Sequence, residues 1–276
     1  MSLRRRFLGT LGFLALLAGG FATGCAAEPW KALYVFGDSY SDSGAGYLDG
    51  NGPTAVVHLA QALGIPFTHA QDPARGAKSL NFAVSGAQTG RGEGRKIKDA
   101  LLGRGMQDQV DDFIARVKSG AVRFDPEHTL FFLAGGLNDR KLPTETTVAN
   151  LQAILRNLHA AGARHFSIAV LPTKIRAFSE VGLRLNPALR NLPAQTELPG
   201  ATIRLSLWGE YFDAVMDAPD VYGFVNVTDA CAGRALFDED TTEKGDPETY
   251  YFYHSGHPST AVQRVVGRML AKELGH

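Results

Sequence analysis

The chain has 276 residues, 45% of them hydrophobic and 20% charged, with 28 basic and 28 acidic side chains. This length and composition suit one α/β domain with a sizeable core and argue against disordered, low-complexity or repeat architectures. A formal net charge of zero gives no electrostatic support for a nucleic-acid partner.

The chain opens on what reads as an export signal, residues 1–24. Arg4, Arg5 and Arg6 precede an uncharged apolar stretch from Phe7 to Ala22, the basic and hydrophobic regions of a secretory leader. The stretch is too short and too glycine-rich for a permanent membrane span. Its removal takes away three arginines and no acid, leaving a net charge of −3. Arg4-Arg5-Arg6-Phe7-Leu8 also resembles the twin-arginine export pattern, so the general secretory and twin-arginine routes both stay open. Ala22-Thr23-Gly24-Cys25 resembles a lipobox, in which cleavage before Cys25 leaves a lipidated cysteine and a membrane-anchored protein facing the periplasm or the cell surface. The alternative is a soluble periplasmic or secreted protein cleaved near Ala27. If Cys25 carries lipid, Cys231 has no partner; if both persist as thiols in an oxidising compartment, they can form a bridge.

After a leader at residues 25–30, one domain runs from 31 to 276. Ala32 to Phe36 is a continuous apolar run ending at Gly37, as expected of a strand buried on both faces of a parallel sheet. Similar runs recur at Ser79 to Val84, Thr129 to Ala134, Phe166 to Leu171 and Ala201 to Leu205. Helical patterns lie between and after them, at Thr54 to Leu63, Gln107 to Lys118, Thr144 to Ala161, Leu207 to Met216 and Ser259 to Leu274. The alternation predicts a three-layer α/β/α sandwich around a central, mostly parallel, five-stranded sheet. Gly90 to Gly105, Pro172 to Gly200 and Asp238 to Glu248 read as irregular.

The first three strands end at residue groups containing Ser39, Gly86 and Asn138, so their loops converge on one rim, where open α/β sheets bind ligands. Three short motifs fall in order along the chain: Gly37-Asp38-Ser39, Gly136-Leu137-Asn138-Asp139 and His257-Pro258-Ser259. A seryl hydroxyl is a weak nucleophile until an imidazole takes its proton, and the tetrahedral intermediate needs donors for its oxygen. Ser39, His257 and Asn138 provide that minimum set for acyl transfer. No G-x-S-x-G elbow, S-x-x-K, H-E-x-x-H or P-loop is present.

Phe36-Gly37-Asp38-Ser39-Tyr40-Ser41-Asp42, Asn81-Phe82-Ala83-Val84-Ser85-Gly86-Ala87, Gly136-Leu137-Asn138-Asp139 and His257-Pro258-Ser259 together resemble the four blocks of the SGNH, or GDSL-type, hydrolase superfamily. The resemblance spans residues 31 to 272. Pro199 to Thr202 and Tyr222 to Cys231 are similar to the bacterial GDSL esterase and lipase branch related to the plant enzymes. It implies a flavodoxin-like fold with Ser39 as nucleophile and His257 as general base. The oxyanion hole would comprise the Ser39 and Gly86 backbone N–H groups and the Asn138 amide. No cofactor or metal is expected, and His58, His69, His128, His159 and His165 lack metal-ligand spacing. The expected substrates are small-molecule or lipid esters: short acyl esters first, then lipids or lysophospholipids, then O-acetylated polysaccharide.

One position departs from the family pattern. Where D-x-x-H has its aspartate, this chain has His254, and an imidazole cannot stabilise an imidazolium as a carboxylate does. Three readings follow. His257 Nδ1 bonds a backbone carbonyl, giving a Ser-His dyad; or another group orients the ring, with His254, Asp246, Glu248 and Asp240 as candidates; or the protein is catalytically weak and serves as a noncatalytic envelope binding protein. Acyl transfer to an alcohol through the same acyl-enzyme is a further alternative. Asp139, Asp38 and Asp42 read as loop acceptors. Arg91, Arg95, Lys96 and Lys98 read as a solvated basic loop, and Trp208, Tyr211 and Phe212 as core.

Overall fold

The computed structural model of the protein describes residues 30–72 and 78–276. The export segment 1–24 and Cys25 therefore lie outside the described residues. In chain order the elements are β1 (Ala32–Gly37), α1 (Ala55–Ala62), β2 (Thr68–His69), β3 (Leu80–Asn81), β4 (Glu93–Ile97), β5 (Ala100–Arg104), α2 (Met106–Lys118), β6 (Thr129–Ala134), α3 (Thr144–Ala160), β7 (His165–Ala169), α4 (Ser179–Asn191), β8 (Thr202–Ser206), α5 (Trp208–Asp217), β9 (Asn226–Ala230), β10 (Tyr250–His254), β11 (His257–Pro258) and α6 (Thr260–Glu273).

The central sheet has the order β2-β3-β1-β6-β7-β8, and each neighbouring pair is parallel. β1 and β6 are buried along their whole length, as their unbroken apolar runs require of strands covered on both faces. Phe113 of α2 fixes one helix layer on β1, lying 4.8 to 5.8 Å from the Tyr34 and Phe36 rings. α6 packs against both α1 and α5, and α3 against both α2 and α4, which makes the two helix layers. α6 starts where Ser259 Oγ accepts from Val262 N, and it buries Val262, Val266 and Leu270 on one face.

The sheet has six strands, not the expected five. The additional strand, β2, pairs only two residues with β3 at the sheet edge, too short a run to leave a periodic signal. α4 lies in the Pro172 to Gly200 stretch, which reads as irregular from sequence. Its buried Val181, Leu185 and Leu189 recur every four residues, and Asn186 bonds both the N–H and the carbonyl of Leu171 at 2.8 and 2.9 Å, while Pro187 sits inside the helix. The Gly90 to Gly105 stretch forms the antiparallel β4-β5 hairpin. β9, β10 and β11 form a small separate sheet that carries His257.

The chain builds β2 and β3 on one side of β1 before crossing to β6 on the other. The crevice beyond the C-terminal ends of β3, β1 and β6 is thus the topological switch point.

Candidate active site

The loop after β1 is clamped before it reaches Ser39. Gln109 accepts from Gly37 N at 3.0 Å and donates to Gly37 O at 2.9 Å. A Cβ at Gly37 would lie 2.4 Å from the Ala134 carbonyl oxygen, so only glycine allows this approach of β1 to β6. The Asp38 carbonyl accepts from Ser41 N and Asp42 N, closing a turn on which Ser39 projects. Asp38 is fully buried, which pushes its carboxyl up to about 7, although Tyr40 N donates to it. Asp42 accepts from Gly44 N, Gly46 N and Ser85 N at 2.9, 3.2 and 2.8 Å, tying this loop to the one after β3.

Gly86 follows β3 with φ +79°, a left-handed conformation that a side chain would strain. Asn138 follows β6; its Nδ2 donates one hydrogen to Ala87 O at 3.0 Å, and its carbonyl accepts from Gln88 Nε2 at 3.0 Å. The second Nδ2 hydrogen stays available, since an amide nitrogen carries two. Among the described residues, the backbone N–H groups of Ser39 and Gly86 have no acceptor. Asp139 is buried and accepts from Thr89 N, Thr89 Oγ1 and Thr147 Oγ1, pinning the Asn138 loop to its neighbours.

His257 arrives from the β10-β11 hairpin. Ser39 Oγ lies 2.9 Å from His257 Nε2, and Nδ1 lies 3.2 Å from the Ser255 carbonyl. A carbonyl only accepts, so Nδ1 carries the proton and Nε2 presents its lone pair to the Ser39 hydroxyl. Tyr40, next to the serine, donates its hydroxyl to Gly256 O at 2.6 Å and packs its ring 5.6 Å from that of His257. The two halves of the site, separated by more than 200 residues of sequence, are thus joined by a buried side chain.

None of the three carboxylates nominated from sequence reaches His257. Asp246 accepts from Glu248 N, Glu248 pairs with Arg264, and Asp240 accepts from Thr242 N; each is spent on its own stretch of surface. His254 does not bond His257 either. Its Nδ1 donates at 2.7 Å to Asp49 Oδ1, and the other oxygen of Asp49 lies 3.4 Å from His257 Nε2. Asp49 was missed because it lies 205 residues from His254, in Asp49-Gly50-Asn51-Gly52, which reads as a turn.

Burial pushes the His257 imidazole below its ordinary value, and Arg234 and His254 push the same way. The Asp49 carboxylate and the Ser255 carbonyl oppose them. The resting His257 imidazole is therefore neutral at pH 7, while acceptors lie near both ring nitrogens when the ring is protonated. In the basic loop near Arg91, Arg91 pairs with Asp108 and Asp111 and Lys98 with Asp238, while Arg95 and Lys96 are exposed. Cys231 is buried, its thiol directed at the Gly245 carbonyl. Among the described residues no group of three His, Cys, Asp or Glu side chains could hold a metal ion.

Fold and site define a three-layer α/β protein with a serine and a histidine hydrogen-bonded at the ends of its central parallel strands. The chain belongs to the GDSL-like lipase/acylhydrolase family, whose model matches residues 33–270. It is 29% identical over 272 residues to the thermolabile hemolysin of Vibrio parahaemolyticus, a match covering 86% of this chain and 62% of the hemolysin. The chain thus spans less than two thirds of that relative. It is 22% identical to a GDSL esterase/lipase of Arabidopsis thaliana, with 98% of this chain and 93% of the plant protein covered. The crystal structure of the psychrotrophic esterase EstA from Pseudoalteromonas is similar over 89% of this chain and 100% of that one, with 14% identity and a TM-score of 0.47.

Proposed function

We propose that the protein is an exported ester hydrolase working through an acyl-enzyme on Ser39. The observation that carries this reading is the 2.9 Å contact between Ser39 Oγ and an Nε2 whose ring is held in the accepting tautomer by the Ser255 carbonyl. As Oγ attacks the ester carbonyl carbon, its proton passes to Nε2 and the carbonyl π pair moves to oxygen. That oxyanion is met by the Ser39 and Gly86 N–H groups and the second Asn138 Nδ2 hydrogen. Collapse breaks the ester C–O bond and the leaving alkoxide takes the proton from Nε2. Water then repeats the sequence, with His257 as base, and releases the carboxylic acid and free Ser39.

Asp49 acts on the charged state of the base. In the resting tautomer its Oδ2 lies 3.4 Å from the electron-rich, unprotonated Nε2, an unfavourable pairing; once Nε2 is protonated and the ring is positive the same proximity becomes attractive. The interaction therefore favours the transition state over the ground state, as catalysis requires. His254 positions Asp49. The Ser255 carbonyl sets the tautomer, so the site works as a Ser39-His257 dyad with a carboxylate beside Nε2.

The same proposal has residues 1–24 direct export and a lipidated Cys25 anchor the protein to the membrane, on the basic, apolar and lipobox pattern of that segment. A fluorophosphonate, which traps activated serines, tests the chemistry. Peptide mapping of the labelled full chain should find one adduct, on Ser39, with ester turnover lost in proportion. Complete inactivation with the label elsewhere would overturn the proposal.

A further inference from the structure

Beside His257 the surface sinks into a groove of about 840 Å³. Ser255 and Gly256, which immediately precede His257, form one wall, and Arg140, two residues after Asn138, forms another. The groove thus runs between the loops that carry the base and the oxyanion amide. Arg140 lies over the Phe178 ring at 4.9 Å, and the same ring meets His257 edge-on at 6.3 Å. One aromatic side chain separates the guanidinium from the base.

The groove's charge is uneven. Four cations, Arg140, Lys174, Arg176 and Arg184, line it against one carboxylate, Glu180. Lys174 is paired with Asp217. Arg184 donates only to neutral acceptors, the Leu142 and Asp139 carbonyls and the Thr144 hydroxyl, so it is held rigidly with its charge uncompensated. Arg140 and Arg176 have no carboxylate partner among the described residues. The whole chain has a net charge of zero, so three arginines without a bonded carboxylate, set against the single groove carboxylate Glu180, are not a by-product of a basic protein. Clustering like charges costs energy, and a concave wall focuses their field on whatever enters. Guanidinium forks suit carboxylate and phosphate oxygens.

We infer that this groove is a substrate subsite for esters that carry a phosphate or carboxylate group, held by Arg140, Arg176 and Arg184 while the ester carbonyl lies at Ser39. Ile175, Met216 and Phe252 add apolar wall, so the fitting ligand is amphiphilic. The inference rests on the ester-hydrolase reading and goes beyond it in naming the substrate's charge.

The test is steady-state hydrolysis by the full chain of two matched pairs. The soluble pair is phenyl butyrate and the butyryl ester of 4-hydroxybenzoate; the lipid pair is monopalmitoylglycerol and palmitoyl lysophosphatidylglycerol. In at least one pair the anionic member should have a kcat/KM about tenfold higher at low salt, an advantage that shrinks as salt screens it. Arg140→Gln and Arg176→Gln should each lower the anionic-to-neutral ratio by roughly three- to tenfold, through KM, as expected for one partly screened charge-assisted bond. Arg95→Gln, an exposed cation on the β4-β5 hairpin outside the groove, should leave the ratio unchanged. The pair that shows the preference identifies the source, a lipid headgroup or a small anionic ester. Equal treatment of both members in both pairs, or a ratio that survives the Arg140→Gln/Arg176→Gln double variant, overturns the inference. Failure to hydrolyse even the neutral esters would instead overturn the underlying reading.

Discussion

Asp49 and His254 form a nearly buried pair: His254 Nδ1 donates to Asp49 Oδ1 at 2.7 Å, with side-chain exposures of 6% and 7%. Position 254 is where the family pattern places the acid that serves the base from its Nδ1 side. In this chain the carboxylate comes from residue 49 and approaches Nε2, the nitrogen that also faces Ser39. In the mechanism proposed here, tautomer control and charge stabilisation, which one aspartate usually combines, are divided between the Ser255 carbonyl and Asp49.

That division predicts the effect of Asp49→Asn. The tautomer is still set by Ser255, so the loss should be about 10- to 100-fold in kcat, well short of the roughly 10⁴-fold seen when a triad acid that fixes the tautomer is neutralised. The pH profile carries the sign. Burial already holds the His257 imidazole below its ordinary value, so wild-type kcat/KM should fall on acidification with a midpoint below that of a free imidazole. Asp49 favours the protonated ring, and Arg234 and His254 oppose it. Removing Asp49 therefore moves the acid limb to lower pH while lowering the plateau. A variant with an unmoved limb and a wild-type plateau would show that Asp49 does not act on the base.

Restoring the family residue should not help. In His254→Asp a second carboxylate would sit beside Asp49 in a nearly buried position, where two such groups cannot both ionise cheaply. The expected result is no gain in turnover and a lower melting temperature above neutral pH. A tenfold or larger gain would mean that the natural site lacks an effective acid.

β1, β6 and the residues at their ends were legible because both strands are buried on two faces and read as unbroken apolar runs. Ser39, Gly86, Asn138 and His257 were named from their motifs, and the sheet topology brings the loops bearing the first three to neighbouring strand ends. Asp49 left no such trace. Its role depends on a contact between positions 205 residues apart, and locally it is one more acid in a glycine-rich turn. α4 had a readable four-residue spacing at Val181, Leu185 and Leu189, masked by Pro187 and the prolines on either side of it. Two-residue β2 is set by pairing with β3, which no local pattern encodes.

Asn138→Ala should lower kcat by about 10²- to 10³-fold with a much smaller change in KM, the usual cost of one oxyanion donor. It also removes the bond to Ala87 O, so the melting temperature should be measured beside the rate. A change confined to KM would indicate that Asn138 binds the ground state only.

Tyr40→Phe deletes the hydroxyl that holds the Gly256 carbonyl and leaves the buried ring in place. Losing one such bond should cost about 1 to 2 kcal/mol, a fall of roughly 2 to 8 °C in Tm for a chain of this size. Turnover should fall with it, because the hairpin that positions His257 loses its anchor to the Ser39 loop. An unchanged Tm by scanning calorimetry would show that this bond adds nothing.

The most direct measurement is p-nitrophenyl butyrate hydrolysis by the full chain and by Ser39→Ala at pH 7.5. The wild-type chain should turn over ester, and the variant should be slower by on the order of 10³-fold or more, since an alanine has no oxygen to acylate. Equal rates for the two proteins would contradict a mechanism centred on Ser39 and His257.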